Sequence, residues 1–214
     1  MKRTLWASLC SLGAFVLWTV LVRIVDVQYI GPNGSAVGLA TINGWFHRLT
    51  GVHMDLYVIT DWLGLVPIAV GLGFAAFGLI QWIKRKHIQN VDFNILILGG
   101  FYIVTILFYM LFEMVVINRR PILINGFLEA SYPSSTTLLV LCVMLTAMLQ
   151  FQSRIKNRVL RSTILLVIGC FLGFMVIGRL ISGVHWLSDI VGGVLLSAGL
   201  VLLYLYLYKK TPKP

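Results

Sequence analysis

Long apolar runs, separated by short polar knots, dominate the chain. Six of them reach the ~20 mostly apolar residues that a helix needs to cross a hydrocarbon core ~30 Å thick. They cover approximately residues 5–25, 56–83, 93–117, 134–151, 162–180 and 187–208. The pattern predicts an all-α fold, a six-transmembrane-helix bundle. The first run follows Met1-Lys2-Arg3. It is longer than the ~7–15-residue core of a secretory signal and no Ala-x-Ala-like site follows it, so it reads as a retained helix. Residues 26–55 are rich in Gly, Asn and aromatic side chains, and Gly31-Pro32-Asn33-Gly34 predicts a turn. Residues 40–50, with Trp45 and Phe46 beside His47 and Arg48, predict a short interfacial helix along the membrane surface in this first outer loop. No internal repeat or low-complexity tract breaks the chain, which reads as a single integral-membrane domain over residues 1–214.

Composition sharpens this reading. Of 214 residues, 59% are hydrophobic and only 11% charged, against ~45–50% and ~25% in average soluble domains. Most soluble folds are excluded, and an integral membrane protein is the class that fits. The six Pro and 20 Gly are too few for a disordered or collagen-like chain. The formal net charge of +10 does not mark a nucleic-acid binder, whose basic residues would cluster on a soluble face. Cys10, Cys142 and Cys170 lie inside apolar runs with no paired spacing, and read as small apolar side chains.

The basic residues fall instead at alternate ends of the runs. Lys2, Arg3, Lys84, Arg85, Lys86, Arg154, Lys156, Arg158, Arg161, Lys209, Lys210 and Lys213 share one side with a single acid, Asp92. Arg23, Arg48, Arg119, Arg120 and Arg179 share the other with the remaining six acids. Basic residues concentrate on the cytoplasmic side, so both termini are expected there. The first loop, the loop at residues 119–133 and the turn at residues 182–185 are expected to face outward.

Three features converge on that outward face: Asn118-Arg119-Arg120-Pro121, Tyr132-Pro133-Ser134-Ser135-Thr136-Thr137, and the stretch from Gly178-Arg179 through His185 to Asp189. Each alone has a plain structural reading, as a headgroup anchor or a helix cap. Together they point to anion chemistry. Arginine presents a fork of donors matched to phosphate oxygens, and Ser134 and Ser135 offer hydroxyls and unpaired N–H groups at a helix start. His185 and Asp189 are four residues apart, so on a helix they share a face and a direct hydrogen bond is expected. A carboxylate on one ring nitrogen fixes the tautomer and frees the other as nucleophile or base. Ser182-Gly183 is expected to break the helix and let Arg179 approach.

These motifs resemble those of the type-2 phosphatidic acid phosphatases, the lipid phosphate phosphatases. The family's third motif, Ser-Arg-x5-His-x3-Asp, matches Arg179, His185 and Asp189, with Gly178 in place of the serine. Its first, Lys-x6-Arg-Pro, matches Arg120-Pro121 with Glu113 at the lysine position, and its second, Pro-Ser-Gly-His, matches Pro133-Ser134-Ser135-Thr136. The resemblance implies that Arg120, Ser134, Ser135 and Arg179 bind phosphate and that His185 forms a phosphohistidine with Asp189 orienting it. It also implies auxiliary places for Arg119, Glu113 and Thr136, no metal or other cofactor, and a phosphorylated lipid substrate in the bilayer. The implied setting is the bacterial plasma membrane and recycling of the polyprenyl carrier used in envelope synthesis.

Thr136 stands where the family has a histidine that protonates the leaving group, and a threonine hydroxyl titrates far too high for that task. Losing a general acid costs ~10²–10⁴-fold in rate. Three resolutions are open. The substrate is a lipid diphosphate such as polyprenyl diphosphate, ahead of phosphatidylglycerol phosphate, because its leaving group needs less protonation. Or Glu113, two turns before Arg120 on the same helical face, supplies the proton, its competing role being an ion pair with an arginine. Or the protein binds a lipid phosphate without hydrolysing it. Among other ionisable residues, Asp61 is expected to complete the pocket or, more simply, to pair with Arg48. His47 is expected at the interface and His87 in solvent. His53, Asp55 and Asp61 are not expected to form a metal site.

Overall fold

The computed structural model describes residues 2–210 and is all-helical apart from short turns and isolated bridges; Lys213 of the basic belt lies outside the described residues. Its helices are α1 (Lys2–Ile24), α2 (Ala40–Thr50), α3 (Met54–Leu63), α4 (Leu65–Arg85), α5 (Phe93–Met114), α6 (Ser135–Arg154), α7 (Arg158–Ile181) and α8 (Leu187–Tyr208). Six segments are long and apolar enough to cross a membrane, with α3 and α4 forming one of them together. The short helix expected at residues 40–50 is α2.

The second span differs from the unbroken run the sequence predicts. It splits at Gly64, and Pro67 gives the reason. A proline has no N–H for the carbonyl of residue 63, and its ring crowds that carbonyl. Gly64 itself keeps helical dihedrals, φ −60° and ψ −17°, so α3 and α4 still run on as one span, with the ten residues of α3 at the end where the site forms. The third span also ends three residues early, at Met114.

Helices α6 and α8 lie at the centre of the bundle. Antiparallel α1 and α8 are tied by Ser8 Oγ to the Gly199 carbonyl (2.8 Å), Ser11 Oγ to the Leu195 carbonyl (3.1 Å) and Trp18 Nε1 to the Ser188 carbonyl (3.0 Å). Gly199 lets the two helices approach closely, since a Cβ there would stand 2.6 Å from the Leu12 side chain and 3.2 Å from its backbone nitrogen. Small residues that let backbones approach are the usual means of packing helices in lipid, where apolar surface gains nothing by leaving the solvent. Outward faces keep large apolar side chains such as Trp6, Ile103, Leu107 and Leu166 exposed.

At one end, Asp92 joins three helices. It accepts from Gln81 Nε2 (2.9 Å), Arg85 Nη1 (2.9 Å) and Arg154 Nη1 (3.1 Å), while its N–H donates to Gln81 Oε1 (2.9 Å). At the other end the long connections interlock. His53 N–H donates to the Ser182 carbonyl (3.0 Å), Ser188 N–H to Asn43 Oδ1 (3.0 Å) and Trp186 Nε1 to the Arg119 carbonyl (2.8 Å).

Residues 119–133, expected only as a loop, form a small hairpin. Arg119 bridges Ala130, Ile124 bridges Phe127, and the turn between has Asn125 at φ 51° and Gly126 at φ 83°. Asn-Gly with two positive φ angles is the turn whose twist matches a hairpin. This hairpin sets the positions of Arg120, Glu129 and Ser131.

Candidate active site

Helix α7 delivers Arg179 from its last turn, and the chain then reverses through Ser182 and Gly183. Gly183 has φ +70°, and a Cβ there would stand 2.1 Å from the Gly51 carbonyl oxygen. Only glycine combines that backbone with that approach. His185 follows in the turn before α8, not on the helix, while Asp189 sits in the helix's first turn. The shared helical face expected from their spacing is therefore corrected. His185 Nδ1 and Asp189 Oδ2 are 3.9 Å apart, too far for a hydrogen bond.

Ser131 fills the gap. Its Oγ is 3.0 Å from His185 Nδ1 and 2.5 Å from Asp189 Oδ2. The Asp189 carboxylate, 0% exposed, also accepts from Trp186 N–H (3.0 Å), Asn118 Nδ2 (3.3 Å) and Ser188 Oγ (3.4 Å). Its burial is thus met by four donors rather than by a cation. Asn118 and Asn43 hold Ser188 Oγ in turn, at 3.3 and 2.9 Å.

His185 is 3% exposed, and its Nε2 is buried with no hydrogen-bond partner among the described residues. Burial first, then the charges of Arg120 and Arg179, hold its pKa well below the ordinary histidine value, so the ring is neutral.

The two guanidiniums are organised by Tyr57 of α3. The Arg179 Cζ lies 5.0 Å and the Arg120 Cζ 5.9 Å from its ring centroid. Arg179, 1% exposed, also stands 3.5 Å from Thr60 Oγ1 and 3.6 Å from Asp61 Oδ1. Asp61 therefore pairs with Arg179, not with Arg48. Arg120 Nε is 3.0 Å from Glu129 Oε2, close in charge but off the N–H direction; among the described residues Nε and Nη1 of Arg120 and Nε of Arg179 have no hydrogen-bond acceptor. Buried guanidinium donors aimed away from protein acceptors suit an oxyanion.

The remaining expected residues take distinct places. Ser134 caps α6: its Oγ accepts from Thr137 N–H (3.4 Å) and Thr137 Oγ1 (3.0 Å), and its N–H donates to the Asp189 carbonyl (3.1 Å). Ser135, Ser131, Glu113 and His185 line one cleft between α5 and α6. The arginine partner considered for Glu113 is corrected too, since Arg120 takes Glu129 instead. Thr136 sits beside the α3–α4 break, where a Cβ on Gly64 would lie 3.7 Å from its methyl. Arg119 turns away, donating to the Leu128 carbonyl (3.0 Å). His47 Nε2 lies 3.1 Å from the Gly183 carbonyl oxygen, and His53 Nε2 lies 2.9 Å from that of Thr50. Among the described residues no three His, Cys, Asp or Glu side chains are grouped to hold a metal.

The family model of the PAP2 superfamily matches residues 100–213, a span that holds all three motifs. The chain belongs to the PAP2 superfamily. Its fold is similar to the crystal structure of the first transmembrane PAP2 type phosphatidylglycerolphosphate phosphatase from Bacillus subtilis, with a TM-score of 0.55. That likeness covers 97% of this chain and 98% of the other at 16% identity, and it establishes the membrane fold. No curated protein matches the sequence.

Within this PAP2 chain, Ser131, Tyr57 and Glu129 lie outside the motif positions that sequence reasoning selected. Ser131 carried a faint signal, two residues before Pro133. Tyr57 carried only its place near Asp61 at the outer end of the second span, and Glu129 carried none; the packing of α3 on α7 and the Asn125-Gly126 hairpin bring them to the arginines.

Proposed function

We propose that this PAP2 protein hydrolyses a lipid phosphate or diphosphate at the outer leaflet, through a phosphohistidine at His185. The observation that carries the reading is His185 Nε2, buried without a partner among the described residues, in the field of two buried arginines. Neutral and held from its Nδ1 side, the ring presents a lone pair at Nε2. That lone pair attacks the terminal phosphorus, the Nε2–P bond forms, and the P–O bond to the leaving group breaks, expelling lipid monophosphate from a diphosphate or the lipid alkoxide from a monophosphate. Arg120 and Arg179 stabilise the charge spread over the transferring phosphoryl oxygens, the main contribution in such reactions. Water then attacks phosphorus, the P–N bond breaks and orthophosphate leaves.

Thr136 makes the leaving group decisive. A lipid alkoxide needs a proton to depart, whereas the lipid monophosphate expelled from a diphosphate is already a stabilised anion. Polyprenyl diphosphate is therefore favoured over phosphatidylglycerol phosphate and phosphatidic acid. Placement on the outer side, with both termini cytoplasmic, rests on the basic belt at the opposite end; the implied setting is the bacterial plasma membrane. The same threonine supports a second reading, a non-catalytic lipid-phosphate binder on this scaffold.

Phosphate release from the three lipids by purified protein, beside His185→Ala, separates the two. Release from the diphosphate that disappears in the variant supports the enzyme. Equal rates on diphosphate and phosphatidic acid would remove the substrate argument. Binding without release, converted to hydrolysis by Thr136→His, supports the binder.

A further inference from the structure

We infer that Ser131 is a positioning residue for His185: its hydroxyl carries the orienting effect of Asp189 to the ring and selects the tautomer with the proton on Nδ1. The inference rests on His185 being the reacting group, the reading proposed above.

The argument is one of proton count. The Asp189 carboxylate is an acceptor, and its two oxygens already face the N–H groups of Trp186 and Asn118, which can only donate. Ser188 has one hydroxyl proton. Its oxygen accepts from Asn43 Nδ2 and Asn118 Nδ2, so that proton goes to Asp189 Oδ1. Ser131 likewise has one, and at 2.5 Å it is given to Asp189 Oδ2. Toward His185 the Ser131 oxygen can then only accept, so Nδ1, 3.0 Å away, carries a hydrogen. A neutral imidazole has one N–H, and Nε2 is left as a bare lone pair.

Direct help from Asp189 is excluded by the 3.9 Å separation. Ser131 itself is fixed from behind, its N–H donating to the Asn118 carbonyl at 3.0 Å across the hairpin. It is buried, at 3% exposure. Remove the hydroxyl, and Nδ1 faces a carboxylate out of reach with nothing to choose between tautomers.

Nitrogen-15 histidine spectra of the full chain in lipid nanodiscs test this without relying on activity. The chain has four histidines, and the His185 signals are those lost in His185→Gln. Wild-type protein is expected to show Nδ1 protonated and Nε2 bare, and Ser131→Ala a mixture or the reverse. Ser131→Thr, which keeps the hydroxyl, is expected to restore the wild-type pattern and guards against a folding defect in the alanine variant. A wild-type ring protonated on Nε2, or an unchanged ring in a folded Ser131→Ala protein, overturns the proposal.

Turnover gives a second readout. A wrong tautomer in a comparable orienting triad costs ~10⁴-fold in kcat, so Ser131→Ala is expected to lose on the order of 10²-fold or more, with KM little changed. Asp189→Asn added to it is expected to cost far less than it does alone, since residues acting as one chain are not additive. Equal losses from Asp189→Asn in both backgrounds overturn the relay. If wild-type protein releases no phosphate, the proposed function fails while the spectra still decide Ser131.

Discussion

Arg179 stacks its guanidinium on Tyr57, with Cζ 5.0 Å from the ring centroid. Tyr57 also lies under Arg120 at 5.9 Å, so one ring from α3 spaces two like charges that would otherwise repel. A desolvated cation–π contact contributes ~1–2 kcal/mol, and a tenfold change in affinity corresponds to ~1.4 kcal/mol. Tyr57→Ala is expected to weaken binding of a lipid phosphate about tenfold, and Tyr57→Phe to stay near wild type. Equilibrium binding to nanodiscs doped with the lipid measures both.

Activity should depend on pH through His185. Its pKa is lowered by burial and by the two arginines, so the ring stays neutral as pH falls through the ordinary histidine range. The acid limb of kcat/KM is expected below pH ~6.5, the unperturbed value. Arg120→Ala, by removing one positive charge, is expected to move that limb upward while reducing the rate. A pH–rate profile of both proteins checks the direction. A wild-type limb above pH ~7 would contradict it.

Glu113 and His185 line the same cleft, and among the described residues Arg120 pairs with Glu129 rather than with Glu113. A carboxyl group there can protonate an alkoxide leaving group but is dispensable for an expelled monophosphate. Glu113→Gln is expected to lower turnover of phosphatidic acid ~10-fold or more and to leave that of polyprenyl diphosphate nearly unchanged. Parallel phosphate-release assays on the two lipids read the difference. Equal losses would assign Glu113 to binding or packing.

Asp92 governs the opposite end. Desolvation raises its pKa, but the hydrogen bonds from Gln81, Arg85 and Arg154 outweigh it, and the net shift is downward. A carboxylate with a depressed folded pKa stabilises above its unfolded value, ~3.9, and the contribution is lost as pH falls through the folded pKa. Asp92→Asn is expected to destabilise by about 1–3 kcal/mol at neutral pH, the usual worth of charge-assisted bonds. The gap from wild type should close below pH ~4. Thermal unfolding in detergent from pH 7 downward follows it.

Gly183→Ala is expected to damage both fold and site. A left-handed backbone costs an L-residue ~1–2 kcal/mol, and the new Cβ would meet the Gly51 carbonyl oxygen at 2.1 Å. Lower thermal stability with lost lipid-phosphate binding is the expected outcome, and unchanged values of both would refute it.

Much of this protein is decided by the order of its residues alone. Long apolar runs must become helices in a bilayer, because hydrocarbon leaves a backbone no other partner. Six spans, a surface helix at residues 40–50 and the Arg179–His185–Asp189 spacing follow from that and from the motifs. What required the tertiary structure was every contact between segments far apart in the chain. Packing of α3 against α7 places Tyr57 and Asp61 against Arg179, a contact between segments more than a hundred residues apart. The Asn125-Gly126 turn folded a loop back on itself, giving Arg120 to Glu129 and setting Ser131 between His185 and Asp189. Spacing in sequence fixes which face of a helix two residues share, but His185 lies just before the helix, where the path of the turn sets the distance. One hydroxyl from another segment then bridges what four residues of sequence do not.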